Sequence, residues 1–466
     1  MTVLVWLRRD LRLHDHPALR AALEAADAVV PVFCFDDALI RGRHASGPRT
    51  QFLLECLREL DEALRARGSR LFVRHGSPPR ELVKLARTVD ADAVHFTTDV
   101  SPFARRRQRQ VKQALDAAGV PVCPHPGLFA VDELEPIRTR NGDPYTMFTP
   151  FHRNWLGQPR RDVHGAPRTL PAPPPHADPG ALPELADLGL AQEVDDPAPG
   201  GERAGREALR RFLAGPVDAY DDGRNRLSGD SISRLSPYLH FGCVSSREIE
   251  HRLQGRGGPG AEAYRRQLCW RDFYAHVLGH FPANARSEFQ ERYRGAIRWS
   301  RAERRFAAWC EGRTGFPVID AGMRQLRLEG WLHNRARLLV GSFLTKDLGI
   351  DWRWGERWFM RLLIDGDEAS NNGNWQWIAS VGVDPQPAYR RLYNPARQQE
   401  RFDPDGAYVR RYVPELTDVP DRYLTEPATM PADVQEQSGC RIGIDYPEPI
   451  VDHAEARREA LARYRV

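Results

Sequence analysis

Thr2-Val-Leu-Val-Trp6 is a short, unbroken apolar run, and Ala28-Val-Val-Pro-Val-Phe-Cys-Phe35 repeats its character after one helix-sized interval. Apolar runs of this length, without polar alternation, suit strands covered on both faces. The interval between them, residues 17–26, carries helical spacing and opens on a proline. Working outward, residues 49–67 read as an amphipathic helix, 70–74 as a third strand and 79–89 as a helix. Residues 93–96 follow as a strand, 104–118 as a helix and 120–123 as a last strand. Strands alternating with helices of this size predict an α/β domain with a doubly wound parallel sheet over residues 1–130. Such sheets take ligands beyond the carboxyl ends of their strands. No GxGxxG follows the first strand, which argues against a dinucleotide held in the Rossmann manner.

Residues 157–201 are rich in Pro, Ala and Asp, with Pro171-Ala-Pro-Pro-Pro175 at their centre, and read as a long connection crossing the surface. The expected division is therefore an α/β domain at 1–130, an interdomain linker at 131–201 and an α-helical domain at 202–466. In that last part strand signals fade, and helical periods occupy 202–214, 244–254, 261–280, 301–311, 316–329, 331–347 and 353–363. A chain of 466 residues, 41% hydrophobic, can fill two or three such cores. Its net charge of +4 excludes a histone-like polycation, while its many arginines allow a locally basic cleft. Seven cysteines are scattered, with no CxxC and no His/Cys ligand spacing, which points to a reducing compartment and away from structural zinc. Arg8-Arg9-Asp10 comes too early for a signal peptide, and no apolar run approaches a membrane span. These features predict a soluble, cytoplasmic monomer with no membrane partner.

The most unusual segment is Asp365-Gly-Asp-Glu-Ala-Ser-Asn-Asn-Gly-Asn-Trp-Gln-Trp377. Carboxylates, amides and two indoles share it, with little of the apolar period a core element needs. Trp375 and Trp377, two apart, point in different directions on a helix or a strand. One can face a buried heterocycle and the other a second ligand, while the carboxylates and amides pair with ring N–H and C=O edges. The plainer, less favoured reading is a polar loop leading into two core tryptophans.

Two other stretches carry ligand-like faces. Gln267, Trp270, Arg271 and Tyr274 fall at i, i+3, i+4 and i+7, as do Asn334, Arg337, Leu338 and Gly341. Each is either an interhelical polar seam or part of one shared pocket, in which Gly341 would admit a flat ligand. Arg337 is the expected partner of Asp365, because a buried charge must be paired. Ser231-Ile-Ser-Arg-Leu-Ser-Pro237 places hydroxyls before a proline-initiated helix, which suits phosphate or simply marks a cap, with Tyr220 and Arg224 close upstream. Arg335, Arg390, Arg391, Arg397, Arg410 and Arg411, with Tyr389 and Tyr393 among them, form either a solvated face or a nucleic-acid contact.

Across almost the whole chain outside the proline-rich connection, these motifs resemble the photolyase/cryptochrome family, and most of all the class I cyclobutane pyrimidine dimer photolyases. Carrying the resemblance are residues 6–14 (Trp-Leu-Arg-Arg-Asp-Leu-Arg-Leu-His), Ser233-Arg-Leu-Ser-Pro-Tyr-Leu239, Leu268-Cys-Trp-Arg-Asp-Phe-Tyr274, Gly330-Trp-Leu-His-Asn-Arg-Ala-Arg337, residues 365–377 and Leu392-Tyr-Asn-Pro395. The resemblance implies a folded FAD in the helical domain, an antenna chromophore near the sheet and damaged DNA as partner. By position, Tyr220, Arg224, Ser233, Arg234, Leu235 and Ser236 would hold the FAD phosphates. Arg337, Asp365 and Asp367, with Asn334, would hold the flavin ring and its ribityl side, and Asn371 would face flavin N5. Trp375, Trp352 and Trp299 would relay electrons to the flavin. Trp270 and Trp377 would stack on a flipped-out dimer, with Asn334, Arg335 and Leu338 lining the cavity and Arg390 on the DNA backbone.

The chain departs from that pattern at Gln267, where dimer photolyases carry Glu, at Leu338, where they carry Met, and at Ile232, which replaces a Thr. Gln267 also occurs in (6-4) photolyases, but those need a histidine pair, expected at the positions of Asn334 and Leu338; His333 reads as structural. For the antenna, Pro102 stands where folate-type enzymes use Glu. Val100-Ser-Pro-Phe-Ala-Arg105 is similar to the 8-hydroxy-5-deazaflavin type, with Arg49 and Asp99 as contacts and 5,10-methenyltetrahydrofolate or FMN as alternatives. The activity implied is light-driven repair of cyclobutane dimers by electron transfer from reduced FAD, with a cryptochrome-like photoreceptor as the alternative.

Overall fold

The structure is a computed structural model that describes residues 1–465. Five strands, β1 (Thr2–Leu7), β2 (Ala28–Asp36), β3 (Phe72–Gly76), β4 (Ala93–Thr97) and β5 (Val122–His125), form one wholly parallel sheet in the order β3-β2-β1-β4-β5. Val3 pairs with Val29 and with Ala93, so the first strand is central, and Val3, Leu4 and Val5 are completely buried. Helices α1 (Pro17–Ala25), α2 (Gly47–Arg65), α3 (Pro78–Thr88) and α4 (Pro102–Ala117) make the crossovers, each with proline in its first turn. Proline lacks an N–H that the first helical turn would leave unpaired anyway, which fixes where each helix begins.

The connection holds more structure than its composition suggests. Helix α5 (Phe148–Leu156) lies inside the stretch expected to be linker, and buries Phe148, Phe151 and Trp155. Beyond it the chain adheres by backbone bonds: His164 O accepts from Asp15 N, Pro179 O from Val73 N, and Leu328 O from Asp196 N. Those bonds fasten it along the sheet half and then onto the helical half.

The helical half contains α6 (Pro259–His280), α7 (Asn334–Ser342), α8 (Trp352–Leu362) and α9 (Glu368–Ile378) around the site, with further helices outside them. The run expected over 331–347 divides, because α7 stops at Ser342 and a wider π turn, Phe343–Asp347, continues it. The polar segment is a helix rather than a loop. Asp367 caps α9 by accepting from Ser370 N at 2.8 Å, and the buried amides inside it are bonded, Gln376 Nε2 to Asn284 O and Oδ1 at 2.8 Å each. A buried polar face satisfied in this way replaces the apolar stripe. Helix α2 joins the halves: Phe52 stacks on Phe241 at 5.4 Å and Ser46 Oγ donates to Arg361 O. No helix among the described residues is long and apolar enough to cross a membrane.

Candidate active site

Arg337, on α7, and Asp365, before α9, form the expected pair, with Nη2 to Oδ2 at 2.7 Å. Arg337 Nε also donates to Leu332 O, which fixes the guanidinium. Asp365 Oδ1 is buried and has no partner among the described residues. A buried carboxylate oxygen left in this state is expensive, so it suits a ligand with an N–H edge. Nearby, Asn371 is buried and its Nδ2 donates to Glu356 O at 3.0 Å; its Oδ1 accepts from no described residue. Oxygens of two buried residues, with no partner among the described residues, suit a ligand that offers N–H groups, as the polar edge of a flavin ring does.

Asp367 stands apart from that pair. Its Oδ2 accepts from Arg9 Nη2 at 2.6 Å, and Arg9 Nη1 lies 3.5 Å from Asp99. Burial pushes the Asp367 carboxyl up, but Arg9, His240 and the Ser370 N–H outweigh it and hold the group below the usual carboxylate range. The two carboxylates expected to act together thus have different cationic partners, Arg337 for Asp365 and Arg9 for Asp367.

Around the expected phosphate loop, Ser233 Oγ shares a 2.7 Å bond with the hydroxyl of Tyr264, and Ser236 Oγ accepts from Trp331 Nε1 at 3.0 Å. Arg234 adopts φ +50°, a left-handed conformation costly for a residue with a side chain, and its guanidinium lies over Trp331 and 3.0 Å from Glu329. Leu235 N bonds Ser233 Oγ, and Leu235 is fully buried. Tyr220 packs edge-on to Tyr264 and Arg224 pairs with Asp221 at 3.3 Å. The helix that follows is only Ser236–His240.

The face of α6 divides. Trp270 stacks on Phe148 at 3.7 Å with the planes 2° apart, and Gln267 beside it makes no side-chain hydrogen bond with a described residue. Arg271 turns away to donate to Leu128 O and Leu239 O. Tyr274 is buried against Gly373, where a Cβ would lie 2.2 Å from the ring. On α7, Asn334 is exposed, while Arg335 donates to Asn225 Oδ1 at 2.6 Å and Leu338 is partly buried. Burial and the flanking Arg335, Arg234 and Arg337 hold His333 down to about 4, so it stays neutral, and its Nδ1 caps α7 through Arg335 N. Gly341 was expected to receive a flat ligand; instead a Cβ there would meet Ile378 at 3.1 Å and Trp375 at 3.6 Å, so its smallness serves the packing of α7 on α9.

Trp375 is buried and packs edge-on to Phe359 at 5.0 Å and Trp309 at 6.2 Å. Trp352 is fully buried, its Nε1 without a partner among the described residues, and Trp299 lies near the C-terminal Tyr464. Trp377 is covered by the guanidinium of Arg391 at 3.7 Å. Arg391 is buried and donates to Trp377 O and Asp384 O, whereas Arg390 is exposed. Arg410 pairs with Asp421 and Arg411 reaches towards Glu329, so the basic run is not one face.

A cleft of about 820 Å³ opens beyond the carboxyl ends of β1, β2 and β4, between the sheet and α6, α8 and α9. Asp99 Oδ1 accepts from Ser101 N there. Arg49 also lines it, but its guanidinium is committed to the carbonyls of Met360, Leu363 and His44. Sequence reasoning missed Glu368, at the start of α9 in the same cleft. Burial, then Asp367, Glu356 and Asp99, push its carboxyl up to about 7. Because folding favours its protonated form, that stability is complete below 4.5 and is lost as the pH rises through about 7. Glu368→Gln is therefore expected to flatten the decline in thermal midpoint across that window; parallel profiles for variant and parent would refute the assignment.

Residues 264–466 match the family described as the FAD binding domain of DNA photolyase, and residues 3–175 match DNA photolyase. The chain is 44% identical over 452 residues to the deoxyribodipyrimidine photo-lyase of Streptomyces griseus, covering 96% of each. The crystal structure of a class III photolyase from Agrobacterium tumefaciens superposes with a TM-score of 0.93 at 36% identity, covering 99% of this chain and 97% of that one. A cryptochrome from Synechocystis superposes with a TM-score of 0.88 at 32% identity, covering 98% and 99%. The chain belongs to the DNA photolyase family. Its fold is that of the photolyases and cryptochromes, with a parallel-sheet half and a helical flavin-binding half.

Proposed function

We propose that this protein is a deoxyribodipyrimidine photo-lyase, which uses light to split cyclobutane pyrimidine dimers in DNA. The observation that carries the reading is the buried Asp365 carboxylate, which gives one oxygen to Arg337 and has no partner for the other among the described residues, in a helical half that also presents Asn371, Trp270 and Trp377. FAD bound there supplies light-driven donation of one electron to the dimer and its recovery after the ring opens.

The chain's own contribution is binding, orientation and electrostatics. Arg337 and Asp365 would hold the flavin edge, with Asp367 and Asn334 on the ribityl side, and Tyr220, Arg224 and residues 233–236 would meet the phosphates. Asn371 presents a neutral carbonyl, which accepts a hydrogen bond without offering a proton. Trp270 and Trp377 would clasp the flipped pyrimidines, with Arg335 and Leu338 on the cavity wall and Arg390 on a phosphate. Gln267 can bond the pyrimidine edge but cannot share a proton with the charge that develops there, so Gln267→Glu is expected to raise repair yield. An unchanged or lower yield would refute that account. Trp375, Trp352 and Trp299 would restore the reduced state, so Trp299→Phe should slow photoreduction and spare repair by chemically reduced enzyme; photoreduction at the parent's rate would exclude Trp299.

The cleft above the sheet would hold the second chromophore, 8-hydroxy-5-deazaflavin, against Asp99, with 5,10-methenyltetrahydrofolate or FMN as the other candidates. One absorption spectrum of the purified protein separates them. Similarity to a cryptochrome supports a second reading, a blue-light receptor. The (6-4) reaction lacks its acid–base pair, because Asn334 and Leu338 stand at those positions. Illuminating the reduced protein with a dimer-containing oligonucleotide decides among these. Recovery of thymine absorbance is expected, and none with FAD bound and reduced would eliminate repair.

A further inference from the structure

We propose that Phe148 and Arg391 are positioning residues that hold the two indoles, Trp270 and Trp377, ready for a flipped pyrimidine pair. The inference rests on the reading of those indoles as the lesion platform. Each indole is partly exposed, and each has one face covered by a group from inside the protein. Behind Trp270 lies Phe148, 2% exposed, at 3.7 Å and 2° from parallel. Over Trp377 lies the Arg391 guanidinium, at 3.7 Å and on a residue 1% exposed. With one face filled in both cases, the exposed part of each ring is what a base can reach.

The two backing groups are parts of one frame. Thr146 O, two residues before Phe148, accepts from Asp384 N at 3.0 Å, and Asp384 O accepts from Arg391 Nη2 at 2.9 Å. Arg391 Nη1 then returns to Trp377 O at 2.6 Å, and Ser342 Oγ donates to Arg391 O at 2.9 Å. A short path of hydrogen bonds, one between backbones and the rest from the Arg391 guanidinium, therefore links the segment behind one indole to the cation over the other. Such a frame fixes the spacing of the platform before DNA arrives, so binding need not immobilise either side chain. Phe148 lies within the range expected to be linker, on a helix whose composition alone gives no sign of a part in recognition.

The test measures dissociation constants of the flavin-loaded protein for dimer-containing and undamaged oligonucleotides. Phe148→Leu is expected to weaken dimer binding about three- to tenfold, the worth of one aromatic stack, leaving undamaged DNA, flavin content and photoreduction unchanged. In a Trp270→Ala background the same substitution should add nothing. Arg391→Met should act in the same way through Trp377, and Arg391→Lys, which keeps the charge, should recover part of the loss; this pair carries the test if Phe148→Leu fails to fold. Equal weakening on damaged and undamaged DNA, or a full Phe148→Leu effect without Trp270, would overturn the proposal. A parent protein with no preference for dimer DNA would instead sink the functional reading.

Discussion

Arg337→Met is expected to cost roughly 3 kcal/mol of stability and to empty the flavin site. The substitution leaves Asp365, whose side chain is 3% exposed, without the cation that bonds it. Removing one partner of a buried pair costs about 3–5 kcal/mol, and the low end applies because the Arg337 side chain remains 27% exposed. Denaturant unfolding and the flavin-to-protein ratio of the purified variant check both parts. A double replacement, Arg337→Met with Asp365→Leu, should restore much of the stability and none of the flavin, because it removes the stranded charge but also the ligand contacts. A variant that loses under about 1 kcal/mol and keeps its flavin would show that the pair holds neither.

The second large effect concerns DNA. Replacing both Trp270 and Trp377 by Ala should abolish the preference for dimer-containing over undamaged oligonucleotide. Each base stacked on an aromatic ring is worth about 1–3 kcal/mol, so two stacks amount to at least roughly a thirtyfold change in affinity ratio. Flavin content should hold, because both indoles are partly exposed and neither contacts Arg337 or Asp365 through a hydrogen bond. Binding titrations against both oligonucleotides provide the measurement, and a preserved preference would place lesion recognition elsewhere.

What could be read from the chain and what could not divide along a physical line. Val3, Leu4, Val5, Val29 and Val30 are buried on both sheet faces, so their strands announce themselves as apolar runs, and the strand–helix alternation follows. The Arg337–Asp365 pair was also legible, since a charge in a helical core needs a partner. Helix α9 was not, because its buried face is made of amides whose partners lie on other segments, Glu356 on α8 and Asn284 92 residues from Gln376. The separation of Asp365 from Asp367 depends on Arg9, more than 300 residues distant, as the 358-residue span of that bond shows. Gly341 looked like space for a ligand and is space for Ile378. Phe148 was hidden for a similar reason: its partner Trp270 sits on another helix, and nothing local marks a phenylalanine as a support. Local pattern records burial and period, whereas these choices are settled by contacts between remote elements.

The most direct test of the whole account is the excited-state lifetime of the reduced flavin in the purified protein, measured with dimer-containing and with undamaged DNA at saturation. Electron transfer to a pyrimidine pair clasped by Trp270 and Trp377 predicts a shorter lifetime with the dimer alone, and loss of that shortening when both indoles are replaced by Ala. A lifetime that dimer DNA leaves unchanged while bound would mean that the flavin's electron does not reach the lesion.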